Sequence, residues 1–298
     1  MFLLTVRRGN TNTKVNNSIH MWEEASTVIS RNQVVPVTVL DRLSTILDVF
    51  ERHGPLTLSQ VTYRTGMPRS SVHRMLEQLT EKRWLNKIGH EYELGIRLFE
   101  LGSTVVQQNR LYTGALPLLN ELHRISGMVV HLGVLDHADV IYLGKIGGPN
   151  ASAIPTRVGG RHPAHQTALG RALLAFAEPT FSDDHWPLPL RASIRKIQES
   201  GISHESGSLV MGLNCIAVPI GPPHRAIAAL SICGPTNRLK LNHHNAAPLL
   251  IAAAAIWETV GRGNNKSNEF FRAIRILRSM PTAQSSWLTA HQTDIVQK

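Results

Sequence analysis

Residues Gly66 to Leu79 read GMPRSSVHRMLEQL, and the way this stretch folds decides the reading of the N-terminal half of the chain. Pro68 has a φ already suited to a first helical position and no N–H to leave unpaired, whereas Met67 before it is pushed out of the helical region. Val72, Met75, Leu76 and Leu79 then recur at i, i+3, i+4 and i+7, which makes one dry stripe on a helix. Arg69, Ser70, Ser71, His73, Arg74, Glu77 and Gln78 fall on the opposite face. Such a face is either simply solvated or offered to DNA, and the flanking sequence distinguishes the two.

Upstream, Val39, Leu40, Leu43, Ile46, Leu47 and Phe50 recur at helical spacing until Gly54-Pro55 stops them. Thr57 is then an N-cap with Gln60 three residues on, a capping box in which each side chain takes the other's free backbone N–H. The short helix that follows ends at Gly66, so a turn of about three residues separates it from the Pro68 helix. Downstream, Trp84, Leu85, Ile88, Tyr92 and Leu94 flank a Gly89-His90 turn and read as a hairpin. Helix, helix, tight turn, helix and hairpin over 36–95 make a winged helix-turn-helix. In that motif one helix braces on the phosphate backbone and the next enters the major groove. Between Thr57 and His90 there are six Lys and Arg against two Asp and Glu, the local charge such docking needs. Ser70, Ser71 and His73 can bond base edges or phosphates, and Arg69 and Arg74 can neutralise phosphate or take guanine. Thr57 and Ser59 suit phosphate, and Lys87 and His90 in the wing are within reach of an adjacent groove.

The chain has 298 residues and a net charge of +10, enough for two cores and in keeping with an acidic partner such as nucleic acid. Neither MFLLTV nor LLIAAAAIW is long enough for a signal sequence or a membrane span, so no membrane partner is expected and the cytoplasm is the default. The two cysteines, Cys215 and Cys233, lie in apolar runs and are expected to be buried free thiols in a reducing compartment. Residues 1–35 carry no sustained periodicity and are assigned no fold.

Residues 96–110 return to helical spacing as a linker helix, and a second unit spans 111–262. It starts with a helix to about Ser126. MVVHLGVL and VIYLGKI form a hairpin, and SAIPTR is a candidate third strand. Thr167 caps a helix stopped before Pro179, a further helix runs from Arg191 to Glu199, LNCIAVPI and AIAALSIC make two more strands, and a helix from about Asn245 to Val260 closes the unit. The mixture is α/β with a mostly antiparallel sheet. The tail 263–298, with FFRAIRILRSM, reads as a weakly ordered basic extension.

SSVHRMLEQLTEKRWL, HEYELGIRLFELG, GRHPAHQTALGRALLAFAEP and LNCIAVPIGPPHRAIAALSICGP, in this order, resemble the IclR family of bacterial transcriptional regulators. The resemblance covers about Pro36 to Arg262. It implies a winged helix-turn-helix, a linker helix and a GAF-like α/β effector-binding domain, assembled as a homodimer or tetramer on a double-stranded DNA operator. It also implies an effector pocket at His162, Ala168, Leu169, Glu205, Leu213, Cys215, Ser231 and Cys233. Independently, the free N–H groups of Ala168 and Leu169 at a helix start can hold a carboxylate, which points to a small organic acid. The sequence departs from the family where Glu205 and Ser208 stand for a pair of acids, where Cys233 replaces a common serine, and where His162 replaces an apolar residue.

Other chemistries find less support. His131, His162, His165, His204 and the cysteines show no structural-zinc spacing, so no metal or other cofactor is expected. There is no Gly-x-Ser-x-Gly and no phosphate loop, and the glycines of GKIGGPN follow a strand rather than open a helix. The expectation is a regulator, more in the sense of a repressor, rather than an enzyme. A catalytic second domain acting on a small carboxylic acid is the alternative.

Overall fold

The computed structural model describes residues 38–177, 186–207, 210–261 and 267–280. Residues 1–35, Pro179 and Ser208, on which sequence expectations fell, lie outside the described residues. The chain divides into two compact units between Ser103 and Thr104.

The first unit comprises α1 (Val39–His53), β1 (Leu56–Thr57), α2 (Leu58–Thr65), α3 (Arg69–Glu81), β2 (Leu85–Ile88) and β3 (Glu91–Leu94). Thr38 and Asp41 form a capping box at the start of α1, and Thr57 and Gln60 form the expected one at the start of α2. The predicted stripe of α3 is buried in full and meets Ile46 and Phe50 of α1, Val61 of α2, and Leu85 and Tyr92 of the wing. The wing has one strand more than expected: β1 pairs with β3, giving the order β1-β3-β2. Two residues are too short a run to read as a strand, and Thr57 also serves as the cap of α2.

The linker helix α4 (Ile96–Gln108) holds the boundary between the units. The second unit continues with α5 (Arg110–Ser126), β4 (Val129–Asp136), β5 (Asp139–Ile146), β6 (Arg161–Pro163), α6 (Ala168–Phe176), α7 (Leu188–Ser200), β7 (Ser203–Ser206), β8 (Leu213–Ile220), β9 (Ala228–Pro235), α8 (His243–Ile256) and α9 (Ser267–Ser279). All six strands pair antiparallel in the order β6-β5-β4-β9-β8-β7. One face of the sheet carries α5, α8 and α9, packed on Val130, Leu132, Ile216, Val218, Leu230 and Ile232. The other carries α6, whose Ala168, Leu169, Ala172 and Leu173 meet Val140, Tyr142, Ala217 and Ala229.

Three sequence expectations are corrected. SAIPTR is not a strand: its start closes a 3₁₀ turn (Gly148–Ala153) and the rest is irregular, while the third strand is β6. Lys145 fixes that irregular segment, its Nζ donating to the carbonyls of Ile154 at 2.8 Å and Thr156 at 2.6 Å. Cys215 and Cys233 are not free thiols but form a disulfide, because the β8–β9 register sets them directly opposite with Cα atoms 4.3 Å apart. That is the close spacing of a directly opposed antiparallel pair. The tail is not loose over 267–279. There α9 buries Ala273 and Leu277 against the α5–α8 face, and Arg278 Nε donates to Glu121 Oε1 at 3.0 Å.

Candidate nucleic-acid interface and ligand pocket

The candidate nucleic-acid interface is built on α3. Its N-cap is Pro68, which provides no side-chain cap, so the first N–H groups of the helix are left to whatever approaches. Ser70, His73 and Arg74 are exposed and Ser71 is half-buried. Arg69 Nη1 donates to Ser59 Oγ at 2.9 Å, joining the starts of α2 and α3, and Thr57 lies at the same end of α2. Lys87 is paired within the unit. Its Nζ donates to Glu77 Oε1 at 3.1 Å, and Tyr92 Oη donates to the same oxygen at 2.9 Å. The Lys87 and Tyr92 bonds hold the Glu77 carboxyl below the usual carboxylate range. Glu77 therefore ties the wing to α3, and His90, beside Gly89 at the tip, is among the exposed wing residues. Tyr63 on α2 is 88% exposed and was not singled out from sequence, because an aromatic in a short amphipathic helix reads as core.

The pocket lies in the second unit, between the start of α6 and the sheet. Seven of the eight residues expected there line one cavity of about 30 Å³: Ala168, Leu169, Glu205, Leu213, Cys215, Ser231 and Cys233. His162 does not line it. It borders a neighbouring cleft of about 420 Å³ with Lys145, Arg157 and Arg161. Ile154 and Thr156 line both spaces, so the segment pinned by Lys145 is the wall between them.

The start of α6 is already occupied. Thr167 Oγ1 accepts the Gly170 N–H at 2.8 Å, and the buried Glu205 carboxylate accepts the Ala168 N–H at 3.1 Å. A carboxylate here is favoured by the free N–H groups and the positive end of the helix. Gly170 lets α6 approach the preceding turn: a Cβ there would overlap the backbone of Ala164, with its carbonyl carbon at 2.7 Å.

Sequence reading missed three polar residues of the wall. His131 is 1% exposed; its Nε2 lies 2.8 Å from Thr156 Oγ1, and its Nδ1 has no hydrogen-bond partner among the described residues. Burial first, then the charges of Lys145 and His162, push its pKa down to about 3, so the ring is neutral at physiological pH. Tyr142 stands edge-on to His131 at 5.2 Å and to His162 at 5.8 Å between ring centroids. Burial, followed by the charge of Glu205, pushes the phenol up to about 12. In the register His131 is opposite Ser231 on one side and Lys145 on the other, so the polar lining forms a row across the sheet. The available signal was one histidine in the otherwise apolar MVVHLGVL, on the opposite face from Val130 and Leu132. Among the described residues no three His, Cys, Asp or Glu side chains converge as a metal site, and no helix is long and apolar enough to cross a membrane.

A winged helix-turn-helix with an uncapped, exposed helix, followed by an α/β domain with a mainly apolar cavity that holds a few polar groups, defines a ligand-responsive DNA-binding regulator. The chain matches the "IclR helix-turn-helix domain" over residues 39–89 and the "Bacterial transcriptional regulator IclR C-terminal" over residues 103–256. It belongs to the IclR family of transcriptional regulators, with an N-terminal DNA-binding and a C-terminal effector-binding domain. It is 30% identical over 222 residues to the HTH-type transcriptional regulator XynR of Escherichia coli, covering 67% of this chain and 87% of that one. To the acetate operon repressor of Salmonella typhimurium it is 25% identical over 241 residues, covering 73% and 87% of the two chains. An IclR homologue from Microbacterium hydrocarbonoxydans, solved in complex with 4-hydroxybenzoate, superposes with a TM-score of 0.67 at 27% identity, covering 76% of this chain and all of that one. The alternative of a catalytic second domain is set aside, since this is a family of regulators rather than enzymes.

Proposed function

We propose that the chain is a homodimeric repressor, working in the cytoplasm on an operator with two half-sites, and that a small organic acid bound in the second unit controls it. The observation that carries the ligand reading is the cavity itself: a helix start, a buried carboxylate and an orphaned neutral histidine nitrogen face one space. The unpartnered His131 Nδ1 has lost its water without gaining a partner, a cost that a ligand hydroxyl or amide would remove. A ligand carboxylate would compete with Glu205 for the start of α6, and the edge-on rings of His131 and Tyr142, both lining the cavity, favour an aromatic acid. The relative that binds 4-hydroxybenzoate supports the same class. Titration calorimetry with 4-hydroxybenzoate and a panel of aromatic and keto acids is expected to give saturable binding by at least one. Absence of binding by all of them would refute the organic-acid reading.

On the DNA side, Ser70, Ser71, His73 and Arg74 are the groove residues, Thr57, Ser59 and Arg69 hold phosphate, and His90 with Lys87 supports the wing contact. Two half-sites need two heads. Ile96, Phe99 and Val105 of α4, 50%, 70% and 64% exposed, are apolar surface that a second copy would cover. Arg74→Ala is expected to weaken operator binding about tenfold and, where the contact is phosphate, to flatten the salt slope by about one. Where it reads guanine, discrimination at one base pair is lost instead. A variant unchanged in affinity, slope and discrimination would remove Arg74 from the interface. The effector must bind the DNA-competent and incompetent arrangements with different affinity, since equal affinity shifts nothing.

A further inference from the structure

Cys215 on β8 and Cys233 on β9 lie 18 residues apart in sequence and face each other in the sheet, joined through their sulfurs. The pair belongs to a row of directly opposed residues across four strands: Glu205 on β7, Cys215, Cys233 and Val129 on β4. Directly opposed residues share a face of the sheet, and Glu205, Cys215 and Cys233 all line the cavity. The disulfide is thus the piece of pocket floor next to the carboxylate that caps α6.

We propose that Cys215 and Cys233 are a reversible redox modification site whose oxidation state sets whether the pocket can open for its effector. This rests on the effector reading above and adds its regulation. The oxidant is a peroxide. Cys215, half-buried where Cys233 is 6% exposed, meets it first. The Cys215 thiolate attacks one peroxide oxygen; an S–O bond forms, the O–O bond breaks and water leaves, giving a sulfenic acid. The Cys233 sulfur then displaces that oxygen as a second water, and the S–S bond forms. Two electrons pass from the two sulfurs to hydrogen peroxide, and the two thiol protons end in the two waters. A dithiol reductant reverses the step by exchange through a mixed disulfide.

The joined state is the closed one. Its cavity of about 30 Å³ holds little more than water, whereas small-molecule pockets commonly measure about 300 Å³ or more. Entry of an organic acid therefore requires the floor, the Glu205 cap or the Ile154–Thr156 wall to move. The cross-link opposes the first of these, motion of the floor, by removing open states of β8 and β9 that the unlinked chain can visit. Reduction restores them and leaves two weak S–H donors facing Glu205 and the cavity.

The test equilibrates the full-length protein in glutathione buffers of cytosolic composition, with and without hydrogen peroxide. Alkylated thiols are counted by mass spectrometry and amide exchange is followed over residues 167–173 and 213–218. The expected result is reversible interconversion, with exchange in both segments about tenfold faster in the dithiol than in the disulfide. Cys233→Ser, which cannot form the bond, is expected to exchange at the same rate with and without peroxide. A wild-type pair that never joins under peroxide, that no glutathione buffer reopens, or whose two states exchange equally overturns the proposal. Retention of genomic DNA by the same samples reports on the regulator reading alone: failure of both states to retain DNA sinks that reading, while the exchange rates still decide the redox site.

Discussion

Two helix starts lie at the heart of the proposed function, and they are finished in opposite ways. At α3, Pro68 offers no side-chain cap, and the surrounding Ser70, His73 and Arg74 stand in solvent. At α6, Thr167 and Glu205 already satisfy the Gly170 and Ala168 N–H groups inside the protein. The first start leaves its donors to solvent, so on the proposed reading, where a phosphate replaces water there, the strength is set by salt and by the partner's charge. The second is desolvated in advance, so a ligand there would gain only what it adds beyond Glu205, and the unpartnered His131 Nδ1 is what a selective ligand would satisfy. On the proposed reading, a surface for a large, fixed polyanion and a pocket for a small molecule use the same helix chemistry at different dielectric.

That contrast predicts a difference in pH response, the largest effect expected. Folded, His131 titrates at about 3 because burial, then Lys145 and His162, oppose its charge. Unfolded, a histidine titrates near 6.5. Below that value the unfolded chain binds the extra proton, so stability contributed by neutral His131 is complete above pH 6.5 and is lost as pH falls toward 3. The loss is about 1.4 kcal/mol for each pH unit, roughly 5 kcal/mol over the window. His165 and His204, whose pKa values burial also lowers, add in the same direction. Among its described residues the first unit exposes its histidines, His53, His73 and His90. Urea-dependent proteolysis at pH 7 and pH 4.5, read by mass spectrometry for each unit, should show the second unit weakening far more. Equal weakening would mean that His131 is not held neutral.

Next in size is Gly170→Ala. The new methyl group would overlap the Ala164 backbone, which cannot rotate away as a side chain could. Overpacking against backbone costs about 3 kcal/mol, and the strain falls where α6 meets the pocket. Urea unfolding should show a loss of that size in the second unit with the first unchanged. A cost under about 0.5 kcal/mol would show that the α6 start is more plastic than its packing implies.

The same contrast explains what could be read from sequence. The buried face of α3 was legible because its dry stripe, Val72, Met75, Leu76 and Leu79, is local and periodic. The role of Glu77 was not, since its partners Lys87 and Tyr92 arrive from another element. In the second unit both faces of the sheet are covered, so β4 runs buried from Val129 to Gly133 and loses the alternation that would have shown which way His131 points. Motif resemblance supplied Ala168, Glu205 and Ser231, but His131, Tyr142 and Thr156 join them only through strand register and a bonded loop. The disulfide was missed for that reason as well: nothing in two isolated cysteines states that their strands pair in register. The burial of α9 rests on Ala273 and Leu277, too short a stripe to separate from a charged tail.

The smallest effect compares the two threonine caps directly. Thr57 Oγ1 accepts the Gln60 N–H at 3.4 Å in an exposed capping box, and water can replace it. Thr167 Oγ1 accepts the Gly170 N–H at 2.8 Å and is 3% exposed, so in its absence that N–H has no water to turn to. Thr57→Ala is therefore expected to cost about 1 kcal/mol, the usual value for a lost N-cap. Thr167→Ala should cost about 2 kcal/mol, because a buried donor is left unpaired. Chemical denaturation of the two variants, read separately for each unit, measures the gap. If the costs were equal, the start of α6 would be hydrated rather than sealed, and Glu205 would then be a solvated cap that an organic acid displaces with little competition.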